Sequence, residues 1–348
     1  MPVTTSPVCV TGATGYVAGA IVQELLENGY SVRGTTRDPE RAWRERHVTG
    51  LPGADQRLDL IAADLMTQGA FDSAVEGCEY VIHTASPYVT DVADPYRDLV
   101  APAVGGTLSV LKACQAAGGV NRVVLTSSFA AITDEPDGRL LSEQDWNTKS
   151  TLKRNAYYLS KTEAERSAWR FMEESHPEFD LVVINPPFVF GPSLIPGLNT
   201  SARVLAGLTN GDFPAIIDMQ WAIVDIRDLA TTHRLAMEVP TASGRYLTAA
   251  GVRSLRQVVD LLRANGWAER YRLPSIPLDN AFGNSLVRFA ANFQRAGARS
   301  YLKTHIGGVF SVDNSKVQNE LGIQFRDVDQ TVLEAMTDLE RWGHLGRK

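Results

Sequence analysis

The twelve residues at positions 8–19, VCVTGATGYVAG, limit the possible fold of this chain more than any other stretch. A β-branched run stops at Gly12, and a helical pattern begins after Gly15. Glycines at these positions let a strand turn sharply into a helix, whose N-terminal amides then face the space where a diphosphate would bind. The spacing departs from the GxGxxG dinucleotide fingerprint. A turn that only connects a strand to a helix is the alternative, so the interpretation depends on residues further along the chain.

Strand-like and helix-like stretches alternate from residue 8 to about residue 185, which predicts an α/β protein with a Rossmann-type, doubly wound parallel sheet. The predicted strands cover residues 8–10, 30–36, 58–63, 80–84, 122–126 and 181–185. Long helices are predicted at about 94–117, with a kink at Pro102, and at about 155–174, and a loop at 133–150.

Two domains are expected. Residues 1–190 are predicted to form the dinucleotide-binding Rossmann domain, and residues 191–348 to form mainly a smaller C-terminal lobe that binds the substrate. In residues 220–240 a strand pattern leads into a helix, and this segment is expected to return to the first domain.

The net charge of −6 favours neither nucleic acid nor a membrane as a partner. The first residues lack a basic segment followed by a long apolar one, and no run of about 18 apolar residues occurs, so a cytoplasmic protein is expected. Cys9, Cys78 and Cys114 lack CxxC spacing and are expected to be small buried side chains. The six histidines are scattered, and no metal site is predicted. The sequence does not indicate an oligomeric state.

Residues 284–303 contain four basic residues and no acidic one. A helix that binds a membrane or a partner is one interpretation of this pattern. The favoured interpretation is the solvated face of an ordinary amphipathic helix.

Tyr157 and Lys161 lie four residues apart in the run YYLSK, within a predicted helix, so both side chains are expected on one face. A tyrosine has an ordinary pKa near 10, but a nearby ammonium stabilises the phenolate and lowers that value. Lys161 would therefore make Tyr157 a usable proton donor near neutral pH. Tyr158 has Thr162 at the corresponding position and lacks such a partner. The alternative is a surface tyrosine that packs over a lysine side chain.

Ser128 follows the fifth predicted strand and is therefore expected at the same edge of the sheet as the glycine turn. Ligands bind at this edge in open parallel sheets. A hydroxyl there can donate to the same substrate carbonyl oxygen that Tyr157 would protonate. The alternative is that Ser127 and Ser128 only cap the turn after the strand.

With these motifs the sequence resembles the extended short-chain dehydrogenase/reductase family. The matching motifs are TGATGYVA at 11–18, ADL at 63–65, HTAS at 83–86, TSS at 126–128, YYLSK at 157–161 and NPPFVFGP at 185–192. Weaker likeness continues in VDIRDLA at 224–230 and DNSKVQNELGI at 313–323. The stretch VRGTTRDPER and Ala18 are most similar to the dihydroflavonol reductase branch and its relatives among microbial NADPH-dependent aldehyde and ketone reductases.

The resemblance implies a role for each matching residue. Ser128 would bind the carbonyl, Tyr157 would donate the proton, and Lys161 would tune Tyr157 and hold the nicotinamide ribose. The implied cofactor-binding residues are Gly12, Thr14, Gly15, Tyr16 and Val17 at the diphosphate, Asp64 and Leu65 at the adenine, Thr84, Ala85 and Ser86 along the cofactor, and Pro187 and Val189 beside the nicotinamide. Many members of the family carry an asparagine where this chain has Ala103, so a proton relay through that side chain is not expected here.

The second predicted strand indicates NADPH as the cofactor. Enzymes that prefer NAD place an acidic residue at the end of this strand, where its carboxylate would repel a 2′-phosphate. Thr36 occupies that position here, and Arg37 and Arg41 follow as a cationic site for the phosphate. The alternative is that both arginines belong to the solvated face of a charged helix, and Asp38 lies close to them in the sequence.

The residues expected to face the substrate are aromatic or apolar: Tyr88, Phe129, Pro187, Phe188 and Trp221. They favour an uncharged carbonyl compound over a nucleotide sugar, whose phosphates would need several cations. The sequence therefore predicts reversible reduction of a small-molecule aldehyde or ketone. Two alternatives remain, a nucleotide-sugar epimerase or dehydratase that retains NAD, and a dinucleotide-sensing regulatory protein without catalysis.

Overall fold

The computed structural model describes residues 6–86 and 92–346. The strands in these ranges are β1 (Val8–Thr11), β2 (Val32–Thr36), β3 (Leu58–Ala62), β4 (Tyr80–His83), β5 (Arg122–Thr126), β6 (Asp137–Leu141), β7 (Asp180–Asn185), β8 (Phe188–Phe190), β9 (Ala215–Ile217), β10 (Gln220–Asp225), β11 (Gly244–Leu247), β12 (Gly251–Ser254), β13 (Ile276–Leu278) and β14 (Val309–Val312).

The helices in these ranges are α1 (Tyr16–Glu27), α2 (Pro39–Glu45), α3 (Ala54–Arg57), α4 (Asp72–Val75), α5 (Ala101–Ala117), α6 (Ala156–Ser175), α7 (Thr200–Asn210), α8 (Ile226–Glu238), α9 (Leu255–Ala264), α10 (Trp267–Arg270), α11 (Ala281–Ala290), α12 (Ala296–His305), α13 (Ser315–Leu321) and α14 (Val328–Arg341). A π-helical turn, Tyr96–Val100, precedes α5, and 3-10 turns cover Phe129–Ala131 and Ala291–Phe293.

A parallel sheet of seven strands lies at the centre, in the order β11-β7-β5-β4-β1-β2-β3. From β1 the chain builds the sheet outward to β3 and then returns to add β4 on the other side. The order therefore reverses between β1 and β4, and ligands bind outside the carboxyl ends of the strands at such a point. The predicted Rossmann-type, doubly wound sheet is confirmed.

β6 and β11 are among the strands that the sequence does not predict. β6 lies inside the predicted loop at 133–150 and pairs in parallel with β14. Four of its five residues are exposed, so it shows no alternation of apolar and polar residues. β11 adds a seventh strand to the central sheet beside β7, from a segment that the sequence leaves in the C-terminal region. Pro102 is the second residue of α5, which directly follows the π-helical turn Tyr96–Val100.

β10 and α8 connect the central sheet to the second core of the protein. Trp221 and Ile223 belong to the core of the C-terminal lobe, whereas Val224 packs in the core of the central sheet. Alternate residues of a strand point to opposite faces, so this one strand contributes to both cores. In α8, which packs against α1, Leu229 is fully buried in the core of the central sheet.

The three cysteines are free and buried in one cluster, as expected for small apolar side chains. Burial raises the pKa of the Cys114 thiol to about 12. Within residues 6–86 and 92–346, no group of histidine, cysteine and carboxylate side chains could hold a metal ion. In the same ranges one helical segment, Tyr96–Ala117, has the length and apolar composition to cross a membrane, but 56% of its most apolar window is buried and α5 packs against α6. This burial is typical of a core helix.

Three buried histidines make the fold sensitive to acid. Burial lowers the pKa of His83 to about 3, and of His233 and His305 to about 4, from an ordinary value of 6.5. Below pH 6.5 the unfolded chain takes up protons at these side chains while the folded protein does not. The free energy of unfolding is therefore expected to fall as the pH drops from 6.5 to about 4, by up to ~1.4 kcal/mol per pH unit for each histidine.

Urea denaturation between pH 7 and pH 4.5 measures this loss. In the variant His233→Gln the free energy of unfolding is expected to depend less steeply on pH than in the wild-type chain. The difference corresponds to one proton. His176→Asn is the matched control, because His176 is exposed and lies at a left-handed position that asparagine tolerates. If the free energy of unfolding of His233→Gln depends on pH as steeply as that of the wild-type chain, burial does not lower the pKa of His233 in the folded protein.

Candidate active site

The glycine turn lies at the point where the strand order reverses. Gly12 has a φ of +69°, and a Cβ at this position would lie 3.2 Å from the Cβ of Ala85 in the segment after β4. Its amide donates to the Thr35 hydroxyl at 3.1 Å. Gly15 precedes α1, and no side chain caps this helix. The first amides of α1 are therefore left for an anion, beside a backbone that only glycine keeps open.

The residues predicted along the diphosphate and the rest of the cofactor surround this turn. The hydroxyls of Thr14 and Thr36 lie 3.4 Å apart, and Tyr16 begins α1 with its hydroxyl donating to the carbonyl of Gly191 at 3.3 Å. The amides of Thr84 and Ala85 both donate to the Thr11 hydroxyl, at 3.1 and 3.0 Å. The carboxyl ends of β1, β2 and β4 therefore form one continuous, hydrogen-bonded edge.

The two predicted arginines at the end of β2 differ in their surroundings. Arg37 is exposed, and no carboxylate of the described residues forms an ion pair with it. The Arg41 guanidinium instead contacts the Glu45 carboxylate at 2.6 Å, one turn along α2. The Asp38 carboxylate accepts from the Arg41 amide at 2.9 Å and so caps α2. Arg37 is therefore better placed than Arg41 to meet an additional phosphate.

Asp64 and Leu65 follow β3 at the same edge. Asp64 Oδ1 accepts from the Met66 amide at 2.8 Å, which fixes the turn after the strand. Leu65 packs against α5 at Gly106, where a Cβ would lie only 2.8 Å from Leu65 Cδ2. Both residues are partly buried beside the expected adenine position.

Ser128 lies just beyond the carboxyl end of β5. Its hydroxyl accepts from the Ala130 amide at 3.2 Å and caps the 3-10 turn. The side-chain amide of Asn185 donates to the carbonyl of Ser128 at 3.2 Å, and the Phe129 amide donates to the carbonyl of Pro186 at 2.8 Å. The capping role is thus observed, and it fixes the hydroxyl in place. A hydroxyl that accepts one bond still has its own proton to donate to a carbonyl oxygen.

Tyr157 and Lys161 share one face of α6, one turn apart. The Lys161 ammonium is buried and donates to the Ser86 hydroxyl at 3.0 Å. Burial lowers the pKa of Lys161 to about 8, against the opposing effect of the Glu165 carboxylate. Since Ser86 directly follows Ala85, this contact brings α6 to the glycine turn. The Tyr157 ring is half-buried, with its centroid 6.2 Å from that of Tyr158.

The sequence does not reveal the network behind these residues. The Glu165 carboxylate, one turn beyond Lys161, is buried and accepts from Ser127 Oγ at 2.5 Å and from Asn185 Nδ2 at 2.8 Å. Arg245 of β11 completes the network with its Nε 2.6 Å from Glu165 Oε1. The spacing of Glu165 from Lys161 could have indicated a shared helix face. The Arg245 contact spans 80 residues of chain and leaves no local signal.

The predicted substrate residues are only partly available to a ligand. Pro187 and Phe188 are partly buried, and Val189 and Phe129 are buried. The prediction for Trp221 is wrong, because its side chain is 1% exposed and packs among aromatic rings of the lobe. The rings around it are those of Phe188, Phe190 and Phe213. Tyr88 lies outside the described residues.

Ala103 is buried in α5, and its methyl side chain has no polar group that could take part in a proton relay. The Lys161 ammonium contacts Ser86 instead.

A family model described as the NAD dependent epimerase/dehydratase family matches residues 8–247. The chain belongs to this family. The likeness to extended short-chain dehydrogenases/reductases is thereby confirmed. Tetraketide alpha-pyrone reductase 1 of Arabidopsis thaliana is 38% identical over 347 residues, which cover 97% of this chain and 96% of that protein. Cinnamoyl-CoA reductase CAD2 of Medicago truncatula is 44% identical over 264 residues, which cover 74% and 79% respectively.

Among solved structures, yeast methylglyoxal/isovaleraldehyde reductase Gre2 complexed with NADPH is similar over 97% of this chain and 100% of that chain. The TM-score is 0.80 and the sequence identity 28%. Bifunctional dihydroflavonol 4-reductase/flavanone 4-reductases are also similar to this chain in sequence. The branch of the family that the sequence indicates is therefore confirmed, and these relatives are reductases.

Proposed function

We propose that this chain is an NADPH-dependent reductase that acts on the carbonyl group of an apolar or aromatic aldehyde or ketone, with Tyr157 as the proton donor. The observation that supports this most is the Lys161–Ser86 contact, which joins the Tyr157-bearing helix to the glycine turn at the edge of the sheet. A site for a dinucleotide and a site for proton transfer thus adjoin each other.

The chain's own groups account for the proton transfer. Ser128 donates a hydrogen bond to the substrate carbonyl oxygen and polarises it. Tyr157 gives its phenolic proton to that oxygen as the carbonyl carbon is reduced, and the Lys161 ammonium stabilises the resulting phenolate. Bound NADPH supplies the hydride.

The choice of NADPH rests on charge at the end of β2. Thr36 provides no carboxylate to repel a 2′-phosphate, and Arg37 extends into solvent just beyond it. The Asp38 carboxylate is directed to the start of α2, which removes the ambiguity in the sequence. The yeast reductase of similar structure is an NADPH complex, which agrees with this choice.

The variant Arg37→Gln is expected to lower the ratio of kcat/KM with NADPH to kcat/KM with NADH by about tenfold or more, since a charge-assisted contact to phosphate contributes roughly 1.5–3 kcal/mol. Arg44→Gln is the matched control, because Arg44 is a 69%-exposed arginine of the same helix region and should leave the ratio unchanged. Steady-state kinetics with both cofactors give the two ratios. A wild-type chain that prefers NADH would refute the NADPH proposal.

The substrate class follows from the neighbourhood of Ser128. Phe129, the next residue, packs edge-on against Phe310 with ring centroids 5.3 Å apart, and Pro187 and Phe188 enter the lobe from β7. These apolar surroundings favour a substrate whose carbon skeleton is uncharged. Isovaleraldehyde, which the name of the yeast reductase includes, belongs to this class.

A screen of NADPH oxidation tests the proposal directly. The panel contains aromatic ketones, aliphatic ketones, α-dicarbonyls and aldehydes, and we expect turnover with at least one apolar carbonyl compound. NADPH binding without turnover across the panel would support the regulatory alternative. Tightly held NAD that is released only on denaturation would support the epimerase alternative.

A further inference from the structure

α11 and the 3-10 turn after it present an apolar surface to the solvent. Four side chains are exposed: Phe282 by 76%, Leu286 by 44%, Phe289 by 64% and Phe293 by 80%. Their spacing of four, three and four residues places them along one side of a helix. These four residues are called the phenylalanine face below. Contiguous exposed apolar surface of this kind marks an interaction site.

The opposite side of α11 is fixed to the protein. Val287 packs against the core of the C-terminal lobe, and the Asn284 side chain donates to Asp218 at 2.8 Å. The helix is therefore held with its aromatic side outward. The four basic residues of 284–303 are exposed, as expected for a solvated face, but four large apolar side chains are exposed beside them, which that expectation does not include.

Cations lie at the end of the phenylalanine face. The Lys303 ammonium contacts Asn292 Oδ1 at 2.6 Å, and the Arg299 guanidinium contacts the carbonyl of Gln294 at 3.0 Å. Asn292 and Gln294 are the chain neighbours of Phe293, so both cations are held at the residues on either side of it. The acceptors are uncharged, so the positive charges are not neutralised by these contacts.

The segment that contains the phenylalanine face and α12 is positively charged throughout. Between Asp279 and Asp313 the chain has four basic residues and no acidic one, although the net charge of the protein is −6. Aromatic side chains beside lysine and arginine are the pattern of helices that lie in the interface of an anionic bilayer.

We propose that the phenylalanine face docks on the surface of an anionic lipid bilayer, with the aromatic rings among the acyl chains and Arg299 and Lys303 at the headgroup phosphates. Charge complementarity selects this occupant. A second copy of the chain, paired about a two-fold axis through this face, would bring the two sets of cations together.

The docking surface adjoins the candidate active site. α12 carries Ser300, whose hydroxyl accepts from the Asn155 amide at 2.8 Å, and Thr304, whose hydroxyl lies 3.0 Å from Asn155 Nδ2. Asn155 immediately precedes α6, the helix of Tyr157. Docking would therefore hold the start of this helix near a membrane, where apolar carbonyl compounds concentrate. This consequence rests on the proposed function, whereas the docking itself does not.

Flotation of the full chain with vesicles tests the proposal. One set contains phosphatidylcholine with roughly 30% phosphatidylserine, and the other contains phosphatidylcholine alone. We expect binding to the anionic vesicles that weakens with salt. The double variant Phe289→Ser/Phe293→Ser is expected to lower the partition coefficient at least tenfold. Arg299→Gln/Lys303→Gln is expected to lower it about tenfold on anionic vesicles only.

Leu140→Ser is the matched control, because Leu140 is a 62%-exposed apolar residue on β6, outside the docking surface. Unchanged thermal unfolding of the variants shows that they are folded. The proposal is overturned if the wild-type chain does not float with anionic vesicles, or if the phenylalanine double variant floats as well as Leu140→Ser. A dimer in sedimentation analysis that the same double variant dissociates would overturn it as well, in favour of a second copy. Loss of NADPH oxidation in the screen would leave the flotation result unaffected, so the two proposals fail separately.

Discussion

Replacing Tyr157 by phenylalanine is expected to lower kcat/KM for carbonyl reduction by roughly a thousandfold, since a positioned general acid contributes on the order of 10²–10⁴ in rate. The variant removes one oxygen atom and keeps the half-buried ring in place. Cofactor binding should change little by comparison, because the Lys161–Ser86 contact stays intact. Steady-state kinetics with the best substrate from the screen, together with a fluorescence titration of NADPH, separate the two effects.

Tyr158→Phe is the matched control for this prediction. Tyr158 is the next residue of α6, and its hydroxyl lies 3.4 Å from His305 Nε2 in the C-terminal lobe. Its ring is also partly buried, so the two variants lose the same group from neighbouring positions. Turnover in Tyr158→Phe should stay within a few-fold of the wild-type rate. Equal losses in the two variants, or an undiminished rate in Tyr157→Phe, would exclude Tyr157 as the proton donor.

Replacing Arg245 by methionine is expected to lower the free energy of unfolding by about 3–5 kcal/mol, because it leaves the buried Glu165 carboxylate without its cation. The Arg245 side chain is 7% exposed and that of Glu165 is fully buried. The guanidinium also donates to the carbonyls of Glu143 and Asp145 at 2.9 and 2.6 Å, and it stacks 3.9 Å from the Trp146 ring. All of these contacts are lost together.

Urea denaturation measures this loss as a shift of the midpoint at constant m-value. Arg44→Met is the control, since Arg44 is 69% exposed and its ion pair with Glu40 is 3.9 Å long, so the expected change is below about 1 kcal/mol. The double variant Arg245→Met/Glu165→Gln should recover part of the stability, because no buried charge then remains unpaired. Strictly additive losses in the double variant would show that the two side chains are not coupled.

Because of the network around Glu165, we expect stability and activity to be linked at this site. The same carboxylate holds Ser127 and Asn185, and Asn185 in turn fixes the carbonyl of Ser128. Because the residue before Ser128 and the residue that fixes its carbonyl both contact one buried group, the position of the Ser128 hydroxyl depends on an ion pair formed with β11. A strand at the edge of the sheet thereby helps to position Ser128.

The sequence could not predict which side of α11 faces the solvent. Its spacing of phenylalanine and leucine fits a helix whose apolar side is buried, which is the usual outcome for a globular protein. The structure instead packs the partly buried Val287 against the lobe core and exposes Phe289. Which side of a short helix meets the core is set by its neighbours, here the lobe core and Asp218, and not by its own periodicity.

Trp221 shows the same limit inside the protein. The run WAIVD is apolar at successive positions, as in a strand buried on both faces, so the pattern cannot say which face meets the ligand and which meets the core. The structure places Trp221 in the lobe core and leaves it 1% exposed. A large aromatic side chain near a site is thus no indication of substrate contact when its strand has two apolar faces.

The sequence by itself determined where six of the seven central strands lie along the chain, the glycine turn after β1, the serine after β5 and the Tyr157–Lys161 pair on one helix, because each depends on local periodicity or short spacing. The tertiary structure alone decided which distant groups meet. Lys161 with Ser86, Asn185 with Ser128, and Glu165 with Arg245 are separated by 75, 57 and 80 residues. Such contacts follow from how strands add to the sheet, and no local pattern in a single chain encodes them.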